Sequence, residues 1–189
     1  MLEIGIIVGS TRPGRRALHV AEWVHSHAQD HAGAHTTVLD LAEVSLPLLD
    51  EPRPASTGEY AHAHTKAWSA VIAPLDALII VTPEYNHAPP PALKNALDFL
   101  YHEWHNKSVG FVGYGNAGGV RAVEHLRLIA GELHMADVRA QVRLSNSSDF
   151  DESGHVIETS PTTDMLTAVL DQTIAWGNAL GALRTTKDS

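Results

Sequence analysis

The stretch ALIIVTPEYNHAPPPALKNALDFL, running from Ala77 to Leu100, carries the plan of the whole chain. Ala77–Val81 is an uninterrupted apolar run, the pattern of a strand covered on both faces. Pro89, Pro90 and Pro91 then forbid a strand ladder or a helix interior, but proline is tolerated in a helix's first turn. The Ala, Leu, Asn and Phe spacing behind them is helical. The unit is therefore strand, irregular loop of aromatic and amide groups (Thr82–Ala88), helix. Such a loop either turns the chain or holds a flat ligand.

Working outward, the same unit recurs. Leu2–Val8 reads as a first strand, Gly9–Arg16 as a loop by its Gly and Pro content, and Ala17–His31 as a helix with Leu18, Ala21, Val24 and Ala28 on one side. His35–Leu41 is a second strand. Ala42–Thr57, with Pro47, Pro52 and Pro54, is an extended connection, and Tyr60–Ala73 is a helix. Ser108–Val112 is a fourth strand ending in the glycine-rich Gly113–Gly119, and Val120–Leu133 a strong helix. Asp137–Leu144 alternates as a fifth strand, Ser145–Ser160 is polar and loop-like, Met165–Leu183 is the last helix, and Arg184–Ser189 is expected to fray. Alternation of this kind predicts an α/β domain: a parallel sheet between helix layers, a three-layer α/β/α sandwich with right-handed crossovers. Five strands favour the flavodoxin-like order 2-1-3-4-5 over a six-stranded order. One domain over residues 1–189 is expected from the length, with no internal repeat.

Bulk numbers bound the function. A net charge of −9 argues against nucleic acid. The chain has no cysteine, so disulfides, thiolate metal sites and a cysteine nucleophile are excluded. Its first residues carry Glu3 and lack a basic start, so they read as a strand and not a signal peptide. No apolar run approaches the roughly 18 residues of a membrane helix. The expected location is cytoplasmic, where the Asn-x-Ser triplets at Asn106 and Asn146 carry no meaning.

In sheets of this order the ligand lies beyond the carboxyl ends of the strands, where strand order reverses. The loops after strands 1, 3 and 4 meet there, and they are the unusual ones. Gly9–Arg16 holds Ser10, Thr11, Arg12, Arg15 and Arg16 in an acidic chain and leads into a helix N-terminus, which favours an anion. Arginine adds bidentate bonds to phosphate oxygens. Gly9 and Gly14 match the outer spacing of a nucleotide-triphosphate loop, but Arg15 and Arg16 stand where Lys and Ser or Thr are needed. Gly113, Gly115 and Gly118 form a literal G-x-G-x-x-G, yet it follows the fourth strand, and Asp137 lies at the start of a strand. This argues against a dinucleotide site. The glycines either admit a flat ligand closely or make a strand-to-helix turn.

With these loops in view, the chain resembles the NAD(P)H-dependent FMN reductase family, which includes quinone, azo-dye and chromate reductases. The likeness covers most of Met1–Leu144 and rests on Gly9-Ser-Thr-Arg-Pro-Gly-Arg, on Pro83-Glu-Tyr-Asn86 with Leu93-Lys-Asn-Ala-Leu-Asp98, and on Gly113-Tyr-Gly-Asn-Ala-Gly-Gly-Val-Arg121. The resemblance implies that Ser10, Thr11, Arg12 and either Arg15 or Arg16 hold the FMN phosphate. It implies that Pro83, Glu84, Tyr85, Asn86 and His87 line the ring, and that Tyr114, Gly115 and Gly118 cover its other side. Some relatives carry Ser and Asn where this chain has Arg15-Arg16-Ala17. It further implies NADPH or NADH as donor, a small-molecule acceptor (a quinone, azo compound, metal oxyanion or free flavin), and a homodimer or homotetramer. No side-chain acid or base is required, because the flavin carries the chemistry. Competing readings are a reductase that passes reduced FMN to a monooxygenase, and a non-enzymatic electron carrier or FMN-binding regulatory module.

Other features read as bland. Thirteen histidines invite a metal: His27 and His31 have a ligand-compatible i,i+4 spacing on a helix, His62 and His64 at i,i+2 should point apart, and no H-E-x-x-H occurs; no metal site is expected. Tyr101–Trp104 extends the helix behind the prolines as core or as a dimer surface. Asp40, ending strand 2, is expected to cap or turn the chain.

Overall fold

The computed structural model describes residues 1–29, 31 and 34–185. Its five strands are β1 (Leu2–Val8), β2 (Ala34–Asp40), β3 (Ala77–Pro83), β4 (Ser108–Gly115) and β5 (Ala136–Ser145). All neighbours are parallel, in the order β2-β1-β3-β4-β5. The helices are α1 (Ala17–Gln29), α2 (Leu41–Val44), α3 (Ala63–Ile72), α4 (Pro91–Asp98), α5 (Val120–Glu132) and α6 (Ser160–Thr185), with single 3₁₀ turns at Ala55–Thr57 and His102–Trp104.

Two apolar clusters fill the faces of the sheet. Ile4, Ile6, Val8, Ile79, Val81 and Val112 meet α1 and α6 on one side. Ile7, Leu78, Ile80, Val109 and Phe111 meet α3, α4 and α5 on the other. Every residue of β3 and β4 is buried, as a strand covered on both faces requires.

Several boundaries differ from the sequence reading. β3 and β4 run past Val81 and Val112, pairing Thr82 with Gly113 and Pro83 with Tyr114. β3 therefore ends two residues later than expected, at Pro83, and β4 three residues later, at Gly115. α1 stops at Gln29 instead of His31. The helix behind the prolines ends at Asp98, and the aromatic extension is a separate turn. There Trp104 is fully buried and donates to the Leu97 and Leu100 carbonyls at 3.0 and 3.1 Å, so it belongs to the core. α6 starts at Ser160, five residues early. Pro161 sits in its first turn, and Thr159 and Thr162 exchange hydrogen bonds across its start.

Arg184, expected in a frayed tail, lies within α6 and donates to Asp76 and to the Asn106 carbonyl, each at 2.8 Å. The rest of that expected tail, 186–189, lies outside the described residues. His62 and His64 do not point apart. His62 is the non-helical residue before α3, so its ring stacks on that of His64 at 5.2 Å.

One buried cation stands out. Lys107 is 2% exposed, and its ammonium donates to the carbonyls of Ile72, Ala73 and Leu75 at the end of α3. The Ile72 carbonyl also accepts the Leu75 N–H at 3.1 Å, and those of Ala73 and Leu75 lie beyond the helix end.

Candidate active site

A cleft of about 420 Å³ opens at the carboxyl edge of the sheet. The loop after β1 lines it with Arg12, Pro13, Gly14, Arg15 and Arg16. The segment after β3 supplies Pro83, Glu84 and Tyr85, and the end of β4 supplies Tyr114 and Gly115. A fourth loop, after β5, adds Asn146.

The residues of the Gly9–Arg16 loop take different positions around the cleft. Ser10 is completely buried, and its hydroxyl shares a 2.8 Å hydrogen bond with the Tyr85 hydroxyl. Arg15 pairs with Asp40, which also caps α2 by accepting from the Ala42 N–H at 3.0 Å, the capping role expected of it. The Nε of Arg15 is buried with no hydrogen-bond partner. Arg16 donates to the Asn146 side chain at 3.1 Å and lies 4.6 Å over the Phe150 ring. Arg12 lines the cleft, is exposed, and makes no ion pair among the described residues. Thr11 instead lines a separate hollow of about 270 Å³ beside α2 and α4.

The loop after β3 is a tight turn. Tyr85 and Ala88 exchange backbone hydrogen bonds of 2.9 and 3.1 Å around Asn86 and His87, both in the left-handed region at φ 48° and 75°. Glycine is the usual choice at such paired positive φ values. Asn86 and His87 sit exposed at its tip, outside the cleft lining, and the His87 ring lies 6.2 Å from that of His125. Glu84 turns away from the cleft mouth. Its side chain is 6% exposed, pairs with Arg121, and accepts the Arg121 backbone N–H at 3.0 Å at the start of α5. Burial pushes its carboxyl upward, but the hydrogen bonds and charge of Arg121 outweigh this and hold it below the ordinary value. Burial, helped by nearby Tyr85, pushes the Tyr114 phenol upward, so it stays protonated at neutral pH.

The glycine-rich loop mainly makes a turn. A Cβ on Gly119 (φ 67°) would lie 2.6 Å from the Tyr114 nitrogen, and Gly118 faces Arg143 away from the cleft. Gly115 alone among them lines the cleft.

Sequence reasoning missed Asn146, Phe150 and the part Asp40 plays through Arg15. The first two had a usable signal, since the loop after β5 leaves the same sheet edge. Phe150 is also an isolated aromatic in a polar run.

The lowered pKa of Glu84 has a measurable consequence. A carboxyl held below its ordinary value contributes stability above that value, near 4.5, and loses it as pH falls further. Glu84→Gln is expected to lower stability at pH 7 by about 1 kcal/mol, allowing for solvent around half-exposed Arg121. Urea unfolding at several pH values should show this gap closing below the carboxylate range; a gap of constant size would refute the assignment.

The residues fit an anionic, partly flat ligand. Three arginines, one of them with an unsatisfied buried N–H, line one cleft with two tyrosines, and the buried Ser10 hydroxyl is bonded to one of those tyrosines.

The sequence model of the family described as NADPH-dependent FMN reductase matches residues 2–149. An NAD(P)H-dependent FMN reductase of Saccharomyces cerevisiae, LOT6, is 39% identical over 71% of this chain and 76% of its own length. A 2-hydroxy-1,4-benzoquinone reductase of a Burkholderia species is 28% identical over 93% of this chain and 96% of its own. Among solved structures, FerB, a flavoenzyme NAD(P)H:(acceptor) oxidoreductase from Paracoccus denitrificans, superposes with a TM-score of 0.76 at 19% identity. That superposition covers 95% of this chain and 98% of FerB.

Proposed function

The chain belongs to the NADPH-dependent FMN reductase family, and from that premise we propose how its own residues serve an FMN-dependent NAD(P)H oxidoreductase acting on small acceptors such as quinones. The observation that carries the reading is the single cleft in which the phosphate loop, the Pro83–Tyr85 segment and Gly115 converge. Arg12 and the unsatisfied Nε of Arg15 hold the phosphate, with the Ser10 hydroxyl and the N-terminus of α1. Arg16 braces the β5–α6 loop against the cleft. Pro83, Tyr85, Tyr114 and Gly115 present the surface that receives the ring. Asn86 and His87 stand at the mouth, where donor and acceptor enter. Bound FMN supplies the redox chemistry, accepting a hydride from NAD(P)H and passing electrons on.

Tyr114, kept protonated, holds the floor of the cleft uncharged. The whole chain works as one FMN-binding domain, acting in the cytoplasm; among the described residues no helix is long and apolar enough to cross a membrane. A homodimer or homotetramer is supported by Leu48 and Leu49, exposed on the connection that Asn95 of α4 holds at the Leu49 N–H and the Pro47 carbonyl. A monomeric mass by light scattering, with full activity, would rule it out.

Because one cleft must serve donor and acceptor in turn, steady-state kinetics with NADPH and a benzoquinone are expected to be ping-pong, giving parallel double-reciprocal lines. Intersecting lines with several acceptors would exclude a shared site. Absence of NAD(P)H oxidation with any quinone would favour the carrier reading.

A further inference from the structure

Next to the phosphate loop, on the side away from the ring segment, lies a second hollow of about 300 Å³ lined in part by Gly14, Arg15, Arg16, His19 and Glu152. His19, on its wall, and Glu22 are three residues apart on α1 and so share a helix face. His155 reaches them from the β5–α6 loop. One potential ligand atom from each of the three lies within 4.8 Å of the others. We propose that His19, Glu22 and His155 form a binding site for a borderline divalent metal ion of the zinc type, clipping the β5–α6 loop to α1.

The geometry suits such an ion. His19 Nδ1 and Glu22 Oε2 are 3.5 Å apart. Nitrogen and oxygen ligands bonded at roughly 2.0–2.1 Å to a tetrahedral centre stand roughly 3.3–3.4 Å from one another. His19 Nδ1 is buried and makes no hydrogen bond, so apart from the long contact to Glu22 its lone pair or N–H is unsatisfied. The ring of His155 lies 4.1 Å from that of His19, tilted by 47°, which brings its ligand atom into the same group. Two imidazoles and one carboxylate leave a fourth position for water, and they select zinc-like ions over calcium or magnesium, which take oxygen ligands.

His155 is also prepared from behind. The Ser153 hydroxyl donates to Asp151 Oδ1 at 2.7 Å and meets His155 Nδ1 at 2.8 Å. With its proton committed to the carboxylate, that hydroxyl accepts from Nδ1–H, which fixes the tautomer whose Nε2 lone pair is open to a metal. Asp151 also accepts the backbone N–H groups of Ser153 and His155, each at 2.9 Å. Carboxylate-to-histidine support of this kind sets ligand orientation and basicity. Of the two neighbouring guanidinium groups, that of Arg15 is neutralised by Asp40, and Glu152 adds negative charge on the same rim.

The test is calorimetric titration of the full, FMN-loaded chain with zinc chloride in a non-chelating buffer. One high-affinity ion per chain is expected. Glu22→Gln and His155→Ala, both exposed positions outside the cleft, should each weaken it at least about tenfold, and Ser153→Ala by about tenfold through the supporting bond. His35→Ala, remote from the site, should leave it unchanged and so separates this ion from adventitious binding to other histidines. Absence of binding up to about 1 mM zinc, which is only about −4 kcal/mol, would overturn the proposal. So would an isotherm that Glu22→Gln and His155→Ala leave unchanged.

Discussion

Chain stripped of flavin is expected to bind FMN about a thousandfold more tightly than riboflavin, which lacks only the phosphate. The cleft is lined by Arg12 and by Arg15 with its unsatisfied Nε, and buried Ser10 is bonded to its Tyr85 wall. Hydrogen bonds to charged groups contribute roughly 1.5–3 kcal/mol each. Two or three of them, lost with riboflavin and partly offset by solvent, leave about 4 kcal/mol, nearly a factor of a thousand. Arg12 has no ion-pair partner to give up among the described residues, so Arg12→Ala should remove about 1.5–3 kcal/mol of FMN affinity and leave riboflavin binding almost unchanged. Fluorescence titration of both flavins into wild type and variant reads all four constants. Equal affinities for the two flavins in the wild type would reduce Gly9–Arg16 to a turn.

Lys107→Met is expected to lower stability by about 2–4 kcal/mol without touching the cleft. The ammonium has three N–H donors, and all three carbonyls it serves, of Ile72, Ala73 and Leu75, belong to the end of α3 and the turn after it. Methionine fills the same space but offers no donor, and the orphaned carbonyls then carry their desolvation cost. In a chain of this length the melting temperature should fall by roughly 5–15 °C. A fall of less than about 2 °C in thermal unfolding would show that water replaces the ammonium there.

The strand order was legible because β1, β3 and β4 are short apolar runs that only a doubly covered parallel sheet accommodates. The family likeness was legible in Gly9–Arg15 and Pro83–Asn86 for a related reason: backbone-shaped loops leave fixed residue types behind. What the sequence concealed were pairings between distant segments. Nothing local announces that Arg15 will meet Asp40, that Arg16 will rest on Phe150, or that Glu84 will cap a helix from another loop. The stacked His62 and His64 were misread because a helical spacing was assumed one residue before the helix begins. The start of α6 was missed although Thr159 and Pro161 mark it, because the apolar period only becomes clear near Met165.

The Glu84 carboxylate ties the segment after β3 to the start of α5, whose N-terminal loop leaves β4. Anyone redesigning this protein for a new acceptor therefore cannot treat those two loops as separate modules. A ring segment transplanted from a relative would arrive without the arginine that neutralises its acid, and a new glycine loop would strand Glu84 half desolvated. The two pieces form one cassette, and exchanging either alone is expected to cost about the 1 kcal/mol of the Glu84–Arg121 contact.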